Sequence, residues 1–413
     1  RLGYSVSNDI ENADFVVINT CAVTQEAVKK SRQLIRKSQR INPHAKLIVS
    51  GCYSSLNPDV ANEIDSIDLL VSNENKDRLA QIVNDELTTA TMPGLATDAD
   101  ETALFIRGRN RAFIKIQDGC RYQCTFCIVT KARGNERSKA IEDVINEINA
   151  LQQQEIKEVV LTGVHIGGYG SDIDSDLCTL IKTVLEETDV PRLRLGSVEP
   201  WDLTENFIEL FSNPRFMPHL HLPLQSGSNT VLRRMARRCN TDDFNHLLGK
   251  IRSSVADFNV STDIIVGFPG ESDKEWQESL SYIESCDFSH IHIFPYSPRQ
   301  GTRAANIPEQ VLHQVKKDRT QQLHLLAMKM KKKVLQNYSG RQSHVLFENQ
   351  VKTEVSGEKV YLGYTPNYIK VKLSTRNKLL LTNQIYQVNL RDYDEQSGLM
   401  IAGLRAPSES RLQ

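Results

Sequence analysis

Three cysteines lie within eight residues of this chain, at Cys120, Cys124 and Cys127. No fourth thiol is close in sequence, so a metal site built on them is incomplete. The spacing of three and then two residues lets one tight loop wrap the corner of a cubane cluster, with one iron left without a protein ligand. An open iron takes a ligand from a small molecule. A zinc knuckle or three structural thiols is the alternative, although zinc usually takes four ligands in paired Cys-x2-Cys units.

The segment from Cys120 to Cys127 resembles the signature of the radical S-adenosylmethionine (SAM) superfamily. That signature is Cys-x3-Cys-x2-Cys with an aromatic residue directly before the last cysteine, as Phe126 is here. The resemblance implies a 4Fe-4S cluster on the three thiolates, SAM as the ligand of the open iron, and reductive cleavage of SAM to a carbon radical.

The composition describes a globular protein of several domains. The chain has 413 residues, 39% of them hydrophobic and 24% charged, which predicts two to three domains. The net charge of -1 carries no whole-chain signature of nucleic-acid binding, so any RNA affinity must come from local basic surfaces.

The use of cysteine and of apolar residues predicts a cytoplasmic protein. The eight cysteines have no disulfide-like spacing, and a reducing compartment keeps thiolates free to hold iron. We find no signal-like start and no apolar run of about 18 residues, which predicts no membrane segment.

The first 90 residues alternate strands and helices, which predicts a small doubly wound α/β domain. Two of its strands, 15–20 and 46–50, run into cysteines at Cys21 and Cys52. Loops after parallel strands gather at one edge of a sheet, so these two thiols could meet in space. Two buried structural cysteines are the alternative.

A polar stretch at 91–103 predicts a linker, and a second α/β domain is expected over 104–337. Six predicted strands alternate with helices there, which is typical of a six-stranded parallel barrel that is open on one side. The predicted strands are 112–116, 159–164, 192–198, 219–224, 261–267 and 290–295.

In such barrels the chemistry sits at the carboxyl ends of the strands, and this rule selects the candidate cofactor residues. Several are glycines or lie beside glycines, which permit close backbone approach to a ligand, although a lone glycine after a strand is usually a plain turn. Besides Phe126, the candidates are Gly163, Val164, His165, Ser197, Glu199, Gln225, Ser226, Asp263, Gly267, Phe268, Phe294 and Tyr296.

From 338 to 405 short alternating strands predict a small all-β barrel. Aromatic and cationic side chains interleave there, a pattern that suits stacked bases and phosphates. A structural β-domain with exposed tyrosines is the alternative. The stretch Gly340 to Val371 resembles a TRAM domain, a small RNA-binding barrel, and the candidate RNA contacts are Tyr361, Tyr364, Tyr368 and Lys370.

Taken in order, the three segments resemble the radical SAM methylthiotransferase family over nearly the whole chain. The wording of Ser197-Val198-Glu199-Pro200 and of His292 to Thr302 is most similar to the branch that acts on N6-threonylcarbamoyladenosine at position 37 of tRNA. One departure is Thr130, where many relatives have proline. We expect this change to affect loop stiffness and not the cluster ligands.

The resemblance implies that adenine C2 is methylthiolated with SAM and two 4Fe-4S clusters. The second cluster would be held by Cys21, Cys52 and a cysteine upstream of Arg1, so the chain is expected to lack its natural start. Implied partners are tRNA, a reductant such as flavodoxin or ferredoxin, and a sulfur donor. Arg299 and Arg303, after the sixth strand, are the expected contacts for the substrate carboxylate, with ordinary rim salt bridges as the alternative.

Three other functions remain open at this point. A methylthiotransferase acting on isopentenyladenosine in tRNA, or on an aspartate of a ribosomal protein, would share the chemistry but not the substrate. A non-catalytic iron-sulfur RNA-binding module would share the cysteines and the β-barrel, but it has no need for glycine-marked strand ends.

Overall fold

A computed structural model describes residues 4–7, 9–57, 67–87, 111–353, 357–376 and 381–404 of this chain. The chain forms two compact units, each built from three segments. The predicted linker at 91–103 lies outside the described residues. The first unit comprises Arg1–Phe105, Gly119–Asn135 and Ser297–Ile307, and the second comprises Ile106–Asp118, Glu136–Tyr296 and Pro308–Gln413.

The first unit contains a three-stranded parallel sheet, which confirms the predicted α/β fold of this region. Its strands pair in the order β1 (Phe15–Thr20), β2 (Lys46–Gly51) and β3 (Leu69–Val71). Its helices are α1 (Gln25–Ile41), α2 (Cys52–Leu56), α3 (Leu79–Leu87) and α4 (Val129–Arg133).

Helices cover both faces of this sheet. Leu47 and Val49 of β2 pack in one cluster with Ile35 of α1, whereas Ile48 packs in another with Val83 of α3. Because successive side chains of a strand point to opposite faces, β2 is buried on both sides. The predicted doubly wound arrangement follows from this packing.

The second unit contains the six predicted parallel strands, side by side in chain order. A short antiparallel ribbon that was not predicted, β5 and β6, intervenes in sequence between the first two of them. The six strands pair as two sheets of three, and bridges at Leu193 with Phe216 and at Ser197 with His221 join the sheets. In chain order the strands are β4 (Arg111–Lys115), β5 (Gln117–Asp118), β6 (Arg137–Ser138), β7 (Glu158–Thr162), β8 (Arg192–Leu195), β9 (His219–His221), β10 (Asn259–Val266) and β11 (His290–Pro295).

Seven helices of this unit are described, and local capping explains where two of them begin. Asn240 with Asp243, and Ser272 with Glu275, form reciprocal capping boxes at the starts of α9 and α10. The helices are α5 (Ile141–Gln152), α6 (Leu177–Glu187), α7 (Glu205–Glu209), α8 (Asn229–Arg234), α9 (Thr241–Ser254), α10 (Asp273–Ser285) and α11 (His313–Gln336).

The 24-residue helix α11 was not predicted. It carries many lysines, and two of its few fully buried side chains are Arg319 and Leu323. Arg319 is buried because it donates to Glu271 at 2.9 Å and to Asp273 at 2.8 Å. An ion-paired arginine at a core position weakens the apolar periodicity by which a helix is recognised.

The carboxyl-terminal strands form a closed barrel, as predicted, with one strand more than the sequence indicated. The barrel core includes Val345, Phe347, Tyr361, Val388 and Met400. The fifth strand, β16, closes the barrel between β14 and β15. The strands are β12 (Gln342–Thr353), β13 (Lys359–Tyr364), β14 (Lys370–Thr375), β15 (Gln384–Asp394) and β16 (Leu399–Leu404).

The amino-terminal ends of the six parallel strands, here called the floor, hold a buried carboxylate. Glu158 at the start of β7 has no solvent exposure and accepts a two-pronged contact from Arg194, at 3.2 Å from Nε and 3.1 Å from a terminal nitrogen. Arg111 and Arg192 lie at 3.6 and 3.8 Å from its oxygens. Burial alone would raise the pKa of Glu158, but the three guanidinium groups lower it below its ordinary value.

The same arginines attach the carboxyl-terminal barrel to the floor. Arg192 donates to the carbonyls of His344 at 2.7 Å and Tyr364 at 3.0 Å, and Arg194 donates to that of Pro366 at 3.1 Å. Arg111 pairs with Glu348 at 2.6 Å. Glu158 therefore neutralises arginines that hold two domains together.

Replacing Glu158 with Gln should destabilise the protein strongly, because it leaves buried guanidinium groups without their counter-ion. We expect a loss of about 3–5 kcal/mol at pH 7, measured by urea unfolding. The pKa of Glu158 is lowered in the folded state, so its contribution is present above about pH 4.3 and disappears as the pH falls through the folded pKa. The difference in free energy of unfolding between the variant and the unmodified protein should therefore become smaller at acid pH. Glu186→Gln, at an exposed glutamate of α6, is the control, and an equal loss there would contradict this account.

Candidate functional site

The loop that carries Cys120, Cys124 and Cys127 lies in the first unit, and all three thiols are partly exposed. Its ends are tied together, since Cys120 N donates to Gly134 O at 3.2 Å. Gly119, just before the loop, has φ +79°, and a Cβ there would lie 1.9 Å from Asn135 O, so this turn requires glycine. The loop is a closed turn that carries three partly exposed thiols within eight residues.

Thr130 forms a hydrogen bond within this loop. Its hydroxyl donates to Tyr122 O at 2.8 Å, between the first two cysteines. The position that was expected to affect loop stiffness is thus a hydrogen-bond donor within the loop.

Cys21 and Cys52 follow directly after paired residues of neighbouring parallel strands. Thr20 of β1 and Gly51 of β2 are partners in the sheet, so the two cysteines leave the same edge, as predicted. Gly51 has φ +108°, and a Cβ there would lie 2.2 Å from Thr20 O. Glycine therefore lets the two cysteine-bearing strand ends approach closely.

N–H groups point at sulfur in both places. Tyr122 N donates to Cys120 Sγ at 3.4 Å, Val23 N donates to Cys21 Sγ at 3.4 Å, and the Asn73 amide donates to Cys52 Sγ at 3.6 Å. Donors of this kind stabilise thiolate ligands and tune iron-sulfur clusters. Free cysteines with such donors fit the soft-ligand chemistry of a 4Fe-4S cluster.

The other predicted cofactor residues lie in the second unit, at the carboxyl ends of five of its six parallel strands. Ser197 is exposed, Phe294 is 40% exposed, and Glu199 is partly exposed, with Arg237 donating to both of its oxygens at 3.1 and 2.6 Å. After or within these five strands come Gly163, Val164 and His165; Ser197 and Glu199; Gln225 and Ser226; Asp263, Gly267 and Phe268; and Phe294 and Tyr296.

Some of these side chains point into the protein. Phe268 has no exposure and packs edge-on against the Tyr296 ring at 5.5 Å, and Ser226 is 1% exposed. The buried Tyr296 hydroxyl has no hydrogen-bond partner among the described residues, and burial raises its pKa. An orphaned donor at a strand end fits a polar group of a bound cofactor.

His165, one of the predicted cofactor contacts, lies between two carboxylates. Its Nδ1 lies 2.6 Å from Glu136 and its Nε2 lies 2.7 Å from Asp202, so both ring nitrogens contact carboxylates. Burial lowers the pKa of His165, but the two carboxylates outweigh it and raise the pKa above its ordinary value. His165 therefore joins segments of the second unit as a charged bridge.

A polar chain inside the six-stranded barrel was not predicted. His219 Nε2 lies 3.1 Å from Ser261 Oγ, which lies 2.9 Å from His221 Nδ1, and His221 Nε2 lies 3.1 Å from Asp263. His221, Asp263 and His292 bring their ligand atoms within 4.8 Å of one another. The repeats His-Leu-His and His-Ile-His in β9 and β11 were the signal, because residues two apart share a strand face.

Three histidines of this region, His219, His290 and His292, have lowered pKa values. Burial, with added repulsion from neighbouring histidines, lowers the pKa of His290 to about 4. The same causes lower the pKa of His292, and that of His219 lies well below its ordinary value. Their surroundings thus favour the neutral imidazole at these three positions.

The predicted RNA-stacking tyrosines are largely covered. Tyr361 has no exposure and belongs to the core of the carboxyl-terminal barrel, so its prediction as a base contact was wrong. Tyr364 and Tyr368 stack on each other at 4.7 Å, and Arg194 lies over Tyr368 at 4.6 Å. Their rings face the floor of the six-stranded barrel, and of the four predicted contacts only Lys370 is exposed.

The predicted substrate arginines contact backbone carbonyls of cysteine-bearing loops. Arg299 Nε donates to Val23 O at 3.1 Å, and an Arg303 terminal nitrogen donates to Gln123 O at 2.6 Å. Arg303 remains exposed, which leaves further donors accessible. Neither arginine forms a salt bridge with a carboxylate among the residues that the structure describes.

None of the helices in the described part of the chain is long and apolar enough to cross a membrane.

Two family models match this chain. Residues 1–72 match the model described as "Uncharacterized protein family UPF0004", and residues 114–283 match the "Radical SAM superfamily".

Curated relatives match over most of the chain. It is 37% identical over 382 residues to the threonylcarbamoyladenosine tRNA methylthiotransferase MtaB of Bacillus subtilis, covering 89% of this chain and 84% of that protein. The MtaB of Thermotoga maritima is 36% identical, with 90% and 85% covered. A tRNA-2-methylthio-N(6)-dimethylallyladenosine synthase of Staphylococcus saprophyticus is 34% identical, with 88% and 73% covered.

Among solved structures, the radical S-adenosylmethionine methyltransferase TsrM of Kitasatospora setae is similar in fold. Its TM-score is 0.53 at 15% identity, with 70% of this chain and 63% of TsrM covered. At that identity the likeness concerns the fold alone.

The charged bridge at His165 predicts a pH dependence of stability. Because its pKa is raised in the folded protein, the bridge contributes fully to folding stability below about pH 6.5. This contribution is lost as the pH rises through the folded pKa. His165→Gln should lose about 1.5–3 kcal/mol at pH 6, in the range of hydrogen bonds to charged groups, and should no longer lose stability over this pH range. Urea unfolding between pH 6 and pH 9 measures both effects. His246→Gln, on the exposed side of α9, should behave as the unmodified protein, and an unchanged pH slope in His165→Gln would contradict the assignment.

Proposed function

The chain belongs to the radical SAM methylthiotransferase family, and from that membership we propose that it methylthiolates C2 of N6-threonylcarbamoyladenosine at position 37 of tRNA. The observation that carries this proposal is the similarity to MtaB proteins, 37% and 36% identical over about nine-tenths of the chain. Relatives named for the dimethylallyl substrate are nearly as similar, at 34%, so family membership alone leaves the substrate to be tested.

We assign the ligand sets as follows. Cys120, Cys124 and Cys127 hold the 4Fe-4S cluster that binds SAM, and Cys21 and Cys52 supply ligands to a second 4Fe-4S cluster. The close sequence spacing of the first three cysteines, the common sheet edge of Cys21 and Cys52, and the N–H donors to Cys120, Cys21 and Cys52 support this assignment. When bound, the clusters and SAM supply the one-electron chemistry that replaces an unactivated aromatic C–H.

The chain's own residues bind and orient the reactants. We propose that the strand-end loops of the second unit hold SAM, with the orphaned Tyr296 hydroxyl and the partly exposed Glu199 as polar contacts. Arg303, which is exposed and has donors beyond its contact to Gln123, is the candidate for the substrate carboxylate. Bidentate guanidinium contacts suit a carboxylate well.

We also propose that the chain has three domains, at 1–90, 104–337 and 338–405. The last is a TRAM barrel that contacts tRNA through Lys370 and neighbouring cations. The proposed partners are a flavodoxin or ferredoxin as reductant and a sulfur donor, and the proposed compartment is the reducing cytoplasm.

Iron content tests the two cluster assignments separately. Anaerobic reconstitution of the full-length protein should give roughly eight irons per chain, as two four-iron clusters require. Alanine at Cys120, Cys124 and Cys127 together, or at Cys21 and Cys52 together, should each remove about half. Cys178→Ala is the matched control, since this cysteine lies on α6 and is not one of the proposed ligands. Full iron in either multiple variant would refute the corresponding cluster.

A competition between two tRNAs tests the substrate. Transfer RNA with threonylcarbamoyladenosine should be converted more than about tenfold faster than tRNA with isopentenyladenosine, because a site built for polar contacts leaves its donors unpaired with an apolar analogue. Both are incubated with reduced, reconstituted enzyme and digested for nucleoside mass analysis.

The outcomes separate the related functions. Equal or greater 2-methylthio product on the isopentenyl tRNA would refute the proposed branch. Product on a ribosomal protein alone would refute the RNA substrate. Arg303→Gln should reduce conversion of the threonylcarbamoyl tRNA more than that of the isopentenyl tRNA.

A further inference from the structure

We propose that Ser297–Ile307, here called the strap, holds the two cysteine-bearing loops of the first unit in a fixed relation to each other. Arg299 fixes the loop after Cys21, and Arg303 fixes the loop around Cys124. Both residues are positioning residues in this proposal. The part that involves a second cluster at Cys21 rests on the proposed function. The part that involves the loops rests on hydrogen bonds alone.

The first end of the strap contacts the loop after Cys21. Arg299 Nε donates to Val23 O at 3.1 Å, and Gln25 N donates to Ser297 Oγ at 3.3 Å. Val23 N donates in turn to Cys21 Sγ at 3.4 Å. One peptide residue, Val23, therefore has its carbonyl held by the strap and its N–H held by the thiol.

The second end of the strap contacts the residues on both sides of Cys124. An Arg303 terminal nitrogen donates to Gln123 O at 2.6 Å, and Ala304 N donates to Thr125 O at 2.9 Å. Lys131 of α4 donates back to Gly301 O at 2.6 Å. The loop is thus anchored to the strap on either side of its central cysteine.

The strap itself is a compact turn. Thr302 donates to Arg299 O from both its N–H, at 3.0 Å, and its hydroxyl, at 2.7 Å. Thr302 is 5% exposed and Ala304 is fully buried. Arg299 and Arg303 are four residues apart, so even extended chain would separate their Cα atoms by at most about 14 Å. A folded turn of that length keeps the two loops close.

Arg299 also has a donor left for sulfur. Its guanidinium lies near Cys21, because Val23 accepts from Arg299 through its carbonyl and donates to Cys21 Sγ through its N–H. One of its terminal nitrogens is buried and has no hydrogen-bond partner among the described residues. A buried unpaired N–H of a cation is costly unless it finds an acceptor, and a sulfur ligand beside Cys21 is such an acceptor. An N–H donor to cluster sulfur raises the cluster's reduction potential.

Fixed loops matter because transfer between two sites depends steeply on geometry. A misplacement of about 1 Å can cost on the order of a hundredfold in rate. A strap that holds both loops through a single short turn supplies this precision with few residues.

Hydrogen exchange on the iron-free full-length protein tests the strap without any cluster. Arg299→Gln should raise amide exchange at 21–25 by about tenfold or more and leave 120–125 unchanged, whereas Arg303→Gln should do the reverse. Arg233→Gln is the matched control, because Arg233 is an exposed arginine of α8 whose terminal nitrogen donates to Thr230 within its own helix. Unchanged exchange in both loops, or the same change in the control, would overturn the proposal.

Redox titration of the reconstituted protein, followed by electron paramagnetic resonance, tests the sulfur donor. Arg299→Gln should lower the midpoint potential of the cluster that is lost in the Cys21 and Cys52 double variant, and Arg303→Gln should leave it unchanged. A shift of both clusters, or of neither, would overturn the role of Arg299. If the double variant keeps all its iron, the second cluster of the proposed function fails, while the exchange experiment still decides the strap.

Discussion

A buried carboxylate at the floor of the six-stranded barrel is the contact on which most of the second unit depends. Glu158 has no solvent exposure, and three arginines from neighbouring strands surround it. Arg192 and Arg194 also donate to carbonyls of the carboxyl-terminal barrel, and Arg111 pairs with Glu348 of that barrel, so the arginines around Glu158 join the two barrels. An uncompensated charge would be costly in this place, because desolvation of an ion exceeds what a single neutral partner returns.

The first unit depends on a different constraint, the geometry of parallel strand ends. Thr20 and Gly51 are partners in the parallel sheet, so strand pairing alone places the cysteines that follow them at the same edge. The loop from Cys120 to Cys127 is adjacent in sequence to strands of the second unit, yet it belongs to the first unit together with the strap. Cysteines from three separate stretches of sequence therefore share one compact unit, supported by hydrogen bonds to backbone carbonyls and sulfur atoms.

Polar residues in the second unit fall into two groups with different electrostatic roles. His165 is held between Glu136 and Asp202 and favours its charged form, whereas the histidines inside the barrel favour the neutral form because burial and their mutual repulsion oppose protonation. The surroundings of a histidine thus favour its protonated form in one place and its neutral form in another. Neighbouring groups determine the preferred form, since an isolated imidazole titrates close to neutral pH.

The sequence by itself determined the cysteine motif and the six parallel strands of the second unit, because spacing and periodicity are local properties of the chain. It also placed Cys21 and Cys52 at one sheet edge, since parallel strands obey a general rule. Only the tertiary structure decided which faces are covered: Tyr361 lies in a barrel core, and Tyr364 and Tyr368 lie against arginines of the floor. It likewise decided that Arg299 and Arg303 reach Val23 and Gln123, residues more than 170 positions away in sequence. Alternation in a strand shows that two faces differ, but the partner that covers each face comes from distant parts of the chain.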